Sequence, residues 1–135
     1  MIGLCLGLAG VVWAEVPTPA FTLAWQHTIE KIRWEEDYRV TPDGLLLGEA
    51  RVRGSGAGME IPDDAELRDG AWHYRRQMPA LPRLRLGRTP EAGDYQLCFD
   101  QRCRAMSEWF GAPQADQPAL EVWGCAVQTA SVGNH

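Results

Sequence analysis

The sequence predicts an all-β fold, a small antiparallel sandwich or partly open barrel of six to seven short strands that begins as a meander. Three observations carry this expectation. Apolar and polar residues alternate over Ala20 to Ile29 and again over Trp34 to Val40, and turn signals containing Pro or Gly separate further short alternating runs as far as Cys103. No helical period of useful length occurs before Met106. A chain of 135 residues allows one domain, expected over 20–106.

Met1 to Ala14 carries no charge, holds the apolar run Ile2 to Val12, and closes with Val12-Trp13-Ala14 ahead of Glu15. That is the pattern of a signal peptide cut after Ala14, although its first residues lack Lys and Arg. Residues 1–14 are therefore expected to leave as a leader and take Cys5 with them. A membrane anchor needs about 20 apolar residues, more than this run supplies, so no stable span is expected once the leader is gone. Leu4 stands where a lipoprotein signal has a small residue before its Cys.

The best core pattern lies in the first predicted hairpin. Phe21, Leu23, Trp25, His27 and Ile29 share one face, and Trp34, Glu36, Tyr38 and Val40 share the facing one. A symmetric four-residue loop, Glu30 to Arg33, would pair Leu23 with Val40, Trp25 with Tyr38, His27 with Glu36 and Ile29 with Trp34. That register places an imidazole against a carboxylate on the buried side. Thr41-Pro-Asp-Gly44 reads as a type I turn closed by a left-handed glycine. It returns Leu45 to Arg53 as a third strand, with Val40 opposite Leu46, Tyr38 opposite Gly48, Glu36 opposite Ala50 and Trp34 opposite Val52. On the other face Glu35 meets Arg51, an exposed pair worth about 0.5 kcal/mol.

Gly54 to Gly58 and the residues up to Asp64 form a long connection. Ala71 to Arg75 alternates, with Trp72 and Tyr74 on one face and His73 on the other. Leu84 and Leu86 mark another strand, and Tyr95, Leu97 and Phe99 the next. There a two-residue turn at Asp100-Gln101 sets Cys98 opposite Cys103, within disulfide reach. So short a loop adds about 2 kcal/mol by loop entropy. From 111 to 135 the chain is rich in Gly, Ala, Pro and Gln and reads as a loosely held tail, leaving Cys125 as a free thiol or a partner for another molecule.

Thirteen basic against eighteen acidic residues give a net charge of -5, which disfavours a nucleic-acid role. His27 and Glu36 are the first site candidates: an inward carboxylate needs a partner, either as a sealed core pair or as the lining of a ligand or ion site together with Glu30 and Lys31. Ser55, Gly56 and Gly58 belong to a glycine loop whose N-H groups could cradle an anion, or which could simply be a bulge. It is not a P-loop, because no Gly-Lys-Ser/Thr follows, and not a nucleophile elbow. Glu60, Asp63, Asp64 and Glu66 fit no EF-hand spacing, and the histidines form no zinc motif. No metal and no cofactor is expected.

Trp25-Gln-His-Thr-Ile-Glu-Lys31, Trp34-Glu-Glu36, Glu49-Ala-Arg51, Gly54-Ser-Gly-Ala-Gly-Met59 and Leu97-Cys-x-x-x-x-Cys103 together resemble the domain-of-unknown-function family eighteen-fifty, over about Phe21 to Arg104. Thr28 and Ile29 replace the Ser and Val of that pattern. The resemblance implies a short, leader-bearing bacterial protein of the periplasm, often encoded beside a tripartite (TRAP) transporter of the TAXI type. The expected role is thus an exported accessory or binding module rather than an enzyme, contacting a transporter subunit or its solute-binding protein. The alternative is a direct small-molecule, anion or cation binder using His27, Glu36 and the Gly54 to Gly58 loop.

Overall fold

The computed structural model describes residues 2–26, 32–53, 63–75, 77–90 and 94–127. These form β1 (Ile2–Leu8), β2 (Val11–Val16), β3 (Ala20–Gln26), β4 (Arg33–Thr41), β5 (Gly44–Arg53), β6 (Glu66–Arg68), β7 (Ala71–Arg75), β8 (Leu84–Leu86), β9 (Gln96–Phe99), β10 (Arg102–Ala105), the single-turn helix α1 (Ser107–Phe110) and β11 (Leu120–Ala126). Two antiparallel sheets result, one in the order β2-β1-β11-β8 and the other β10-β9-β3-β4-β5-β7-β6. The fold is an open all-β sandwich, not a closed barrel.

The smaller sheet is built largely from residues that read as leader and tail. Leu4, Leu6 and Leu8 alternate with Cys5 and Gly7, and all three leucines are buried against the larger sheet. Ala9 and Gly10 both take positive φ (51° and 79°), the backbone that a tight hairpin requires, and so turn β1 into β2. The apolar run over 2–8 is therefore a core strand in this structure, where a leader was expected. Its composition resembles a leader because a strand covered on both faces is apolar throughout. β11 lies within the stretch expected to be a loose tail: it pairs along all of β1, and its Leu120 and Val122 are fully buried. Gly124 allows the two sheets this approach, since a Cβ there would lie 2.8 Å from Val40 Cγ1. Cys125, expected as a free thiol or a partner for another molecule, is bonded to Cys5 within the chain.

In the larger sheet the meander β3-β4-β5 is as expected, but the first register differs. Trp25 faces Trp34, Leu23 faces Glu36 and Phe21 faces Tyr38, so each β3 residue meets a partner four positions earlier on β4 than expected. Aromatic pairing accounts for the shift: the Trp25 and Trp34 rings stack at 6.1 Å and those of Phe21 and Tyr38 at 5.4 Å. Because the slide is even, each residue keeps its face, and Glu36 still points inward.

Across β4 and β5 the far pairs are as expected, Glu36 with Ala50 and Trp34 with Val52. Nearer the turn the partners move by one, giving Tyr38 with Leu47 and Val40 with Leu45, and a bulge between the two stretches absorbs the difference. The hairpin closes as Thr41 opposite Gly44. Gly44 has φ 131°, and a Cβ there would run into the Leu81 carbonyl, which accepts a 2.7 Å hydrogen bond from Leu45 N. The last hairpin is as read from the sequence: Asp100 and Gln101 turn with φ 53° and 64°, and Cys98 faces and bonds Cys103 with a Cα separation of 4.0 Å.

Candidate functional site

Strand β4 carries chemistry on both faces, because its alternation sends Glu35 and Asp37 outward and Trp34, Glu36 and Tyr38 inward. The outward face gathers around Arg51. Its Nε donates to Glu35 Oε1 at 3.0 Å, Nη1 to Asp37 Oδ2 at 2.7 Å and Glu49 Oε1 at 3.1 Å, and Nη2 to Asp37 Oδ1 at 2.8 Å. Arg33 Nε donates to the other Glu35 oxygen at 2.9 Å, Thr22 Oγ1 donates to Asp37 Oδ1 at 2.7 Å, and His73 Nδ1 lies 2.9 Å from Glu49 Oε1. Arg68 reaches Glu49 and Arg53 approaches Glu35 from the rim. Beside the bulge a cleft of about 300 Å³ opens among Asp37, Glu49 and Arg75.

This network holds its charges firmly. Burial by itself would raise the Glu35 carboxyl, but hydrogen bonds from Arg33 and Arg51 together with the Arg53 charge keep it below its usual range. Asp37 is likewise raised by burial and more than compensated by Arg51, Thr22 and Arg75. For Glu49, the lowering comes from His73 and Arg51 against a burial effect. The Asp37 hydrogen bonds push the Arg51 guanidinium up against the opposing effect of its burial.

The sign of the pH dependence follows. A carboxyl whose folded-state pKa is depressed contributes stability above its unfolded value, here 4.5 for the two Glu and 3.8 for Asp37, and that stability is lost as pH falls through the folded values. The urea midpoint is expected to be level above about pH 5 and to drop steeply below about pH 4. An Arg51→Met protein should start lower at neutral pH and show a shallower acid slope. Equal acid slopes in the two proteins would remove the network from the account.

The inward face holds Glu36. Tyr38 Oη donates to its Oε1 at 2.8 Å, and burial followed by the Glu36 charge raises the Tyr38 hydroxyl well above its ordinary value. Tyr95 is raised by the same two causes in the same order, so Glu36 is felt across β3 as far as the start of β9. Leu23 and Ala50 flank Glu36 on the neighbouring strands.

Of the residues singled out from the sequence, Glu36, Cys98 and Cys103 fall within the described structure, whereas His27, Glu30, Lys31, Ser55, Gly56 and Gly58 lie outside the described residues. The expected pairing of His27 directly opposite Glu36 is corrected, since Leu23 holds that position. The Glu35 to Arg51 contact is present, but as part of a network rather than as an isolated exposed pair. Asp37, Glu49 and His73 were missed as its members. The available signal was the period-two spacing of Glu35 and Asp37 against Glu49 and Arg51, which puts all four on one face once the turn register is set.

Among the described residues no group of three or more His, Cys, Asp or Glu is arranged to hold a metal ion. No helix among them is long and apolar enough to cross a membrane. The two disulfides fit an oxidising, extracellular setting. No curated protein and no solved structure matches the chain. The model of the family described as "Domain of unknown function (DUF1850)" matches residues 21–106, which takes in β3 through β10 and the whole Arg51 network, and the chain belongs to that family.

Proposed function

We propose that the protein is an exported, non-enzymatic accessory module that docks on a protein partner in the periplasm, the partner being a subunit of a TAXI-type TRAP transporter or its solute-binding protein. The observation that supports this reading is the Arg51 network. Charged side chains that already hold one another in place lose little rotamer freedom when a partner arrives, and they impose a fixed charge pattern on it. Arg53 and Arg68 stand at the rim of that pattern with side chains about half exposed, at 46% and 55%. They are placed to meet an acidic surface while the carboxylates behind them stay satisfied.

The test is capture with the tagged, full-length protein in cells that contain the transporter, joined to uptake of the transported solute. A transporter subunit or its solute-binding protein should be recovered by the unaltered chain, and less by Arg53→Gln with Arg68→Gln, both compared well below their own melting temperatures. Loss of the gene should reduce uptake. Unchanged uptake together with no recovery of either component would discard the proposal.

A further inference from the structure

The inward face around Glu36 has a composition that folding alone does not call for. Three rows of side chains cross this face of the larger sheet. One runs Tyr95, Trp25, Trp34; the next holds Leu23, Glu36 and Ala50; the third holds Phe21 and Tyr38. Glu36 therefore has Trp34 and Tyr38 on either side along its own strand and the Trp25 and Tyr95 pair diagonally beyond Leu23. The Trp25 ring stacks parallel to Trp34 within 6° and tilts against Tyr95 at 6.0 Å, so the three rings form one continuous aromatic wall. Ala50, next to Glu36 on β5, contributes only a methyl group, and Tyr74 follows it on β7.

The position in the fold is equally specific. Trp25 and Tyr95 pack on the cluster shared by the two sheets, whereas Trp34 and Ala50 belong to a second cluster with Ile32, Val52 and Tyr74. Glu36 stands at the seam between the two clusters, and it, Trp25, Trp34 and Tyr95 all keep part of their surface open. A carboxylate can accept about four hydrogen bonds, and among the described residues Tyr38 supplies a neutral donor. Aromatic rings contribute negative faces and no positive charge. An anion set among them is electrostatically matched by a cation with apolar substituents, which gains from the carboxylate charge and from the ring faces together. The net charge of -5 adds a field of the same sign.

We infer that the Glu36 carboxylate and the Trp25, Trp34 and Tyr95 rings form a binding site for a small organic ammonium ion. This goes beyond the docking role and does not depend on it, since the site lies on the opposite face of the sheet from the Arg51 network and can be assayed on the protein alone.

The experiment is calorimetric titration of the full-length, oxidised protein with choline, with putrescine, and with 3,3-dimethylbutanol as the uncharged counterpart of choline. Saturable binding is expected for at least one of the two cations, with a dissociation constant on the order of 1 mM or tighter. The alcohol should bind about tenfold more weakly or not at all, and Glu36→Gln should weaken the cation by about tenfold at unchanged melting temperature. A second variant, Trp34→Phe, should weaken the cation and leave the alcohol alone, which keeps the test decisive if Glu36→Gln does not fold. Absence of saturation with both cations overturns the site. So does equal affinity for choline and the alcohol, or undiminished cation affinity in a folded Glu36→Gln protein.

Discussion

Replacing Cys5 and Cys125 together with serine is expected to lower the unfolding free energy by about 4 to 5 kcal/mol, a large part of the 5 to 15 kcal/mol typical of a domain this size. The cross-link joins residues 120 apart in sequence, so in the unfolded chain it closes a loop containing almost all of the protein. Chain entropy makes that the more consequential of the two disulfides. The Cys98 to Cys103 bond spans only 5 residues and staples a hairpin that its own turn already sets. Serine at both of those positions should cost about 2 kcal/mol. Urea denaturation of the two double variants against the oxidised parent measures both figures. A larger loss from the hairpin pair than from the terminal pair would contradict the assignment of roles.

The second large effect is expected at Arg88. Its side chain is 3% exposed and lies against Asp94, with Nε donating to Oδ1 at 3.1 Å and Nη2 to Oδ2 at 3.3 Å; Nη2 also donates to the Gly111 carbonyl at 2.8 Å. Asp94 in turn accepts from the backbone N-H of Tyr95 at 2.9 Å and of Ser107 at 2.8 Å. One ion pair thereby fixes the entry to β9 and both ends of α1, whose Phe110 fills the core beneath Trp13. Arg88→Met strands a carboxylate and a carbonyl at once, and should destabilise the protein by about 3 to 5 kcal/mol. Adding Asp94→Leu should not restore it, because two main-chain donors then lose their acceptor. Recovery of parental stability in the double variant would show that the pair acts as a simple buried salt bridge.

Legibility in the sequence followed how locally each feature is determined. The Cys98 to Cys103 hairpin was readable because a two-residue turn sets its register, whereas Glu36 with Ala50 and Glu35 with Arg51 fall as expected because the bulge offsets a one-residue difference at the Thr41 to Gly44 turn. The offset of β3 on β4 was not readable, since it depends on which aromatic rings stack, and a four-residue loop satisfied the apolar alternation equally well on paper. The inward direction of Glu36 survived that error because the offset is even. The strands β1 and β11 were not legible for a physical reason: their pairing joins residues more than a hundred positions apart, and nothing local distinguishes Leu4-Cys-Leu6-Gly-Leu8 from the apolar centre of a leader. The Arg51 network was half legible. The contacts of Arg51 with Glu35, Asp37 and Glu49 follow from one hairpin, but His73 requires β7 to lie beside β5, which brings it to Glu49.

The placement of β1 and β11 at the centre of the small sheet also orders events during synthesis. Cys98 and Cys103 reach each other as soon as their hairpin exists, whereas Cys5 waits for the last strand to emerge. Until then β1 has only β2 beside it in the small sheet, and pairing so distant in sequence is slow to form. Four cysteines admit three pairings. Early closure of the Cys98 to Cys103 staple removes the two wrong partners from Cys5 before Cys125 arrives, so the small local disulfide acts as the proofreading step for the large one.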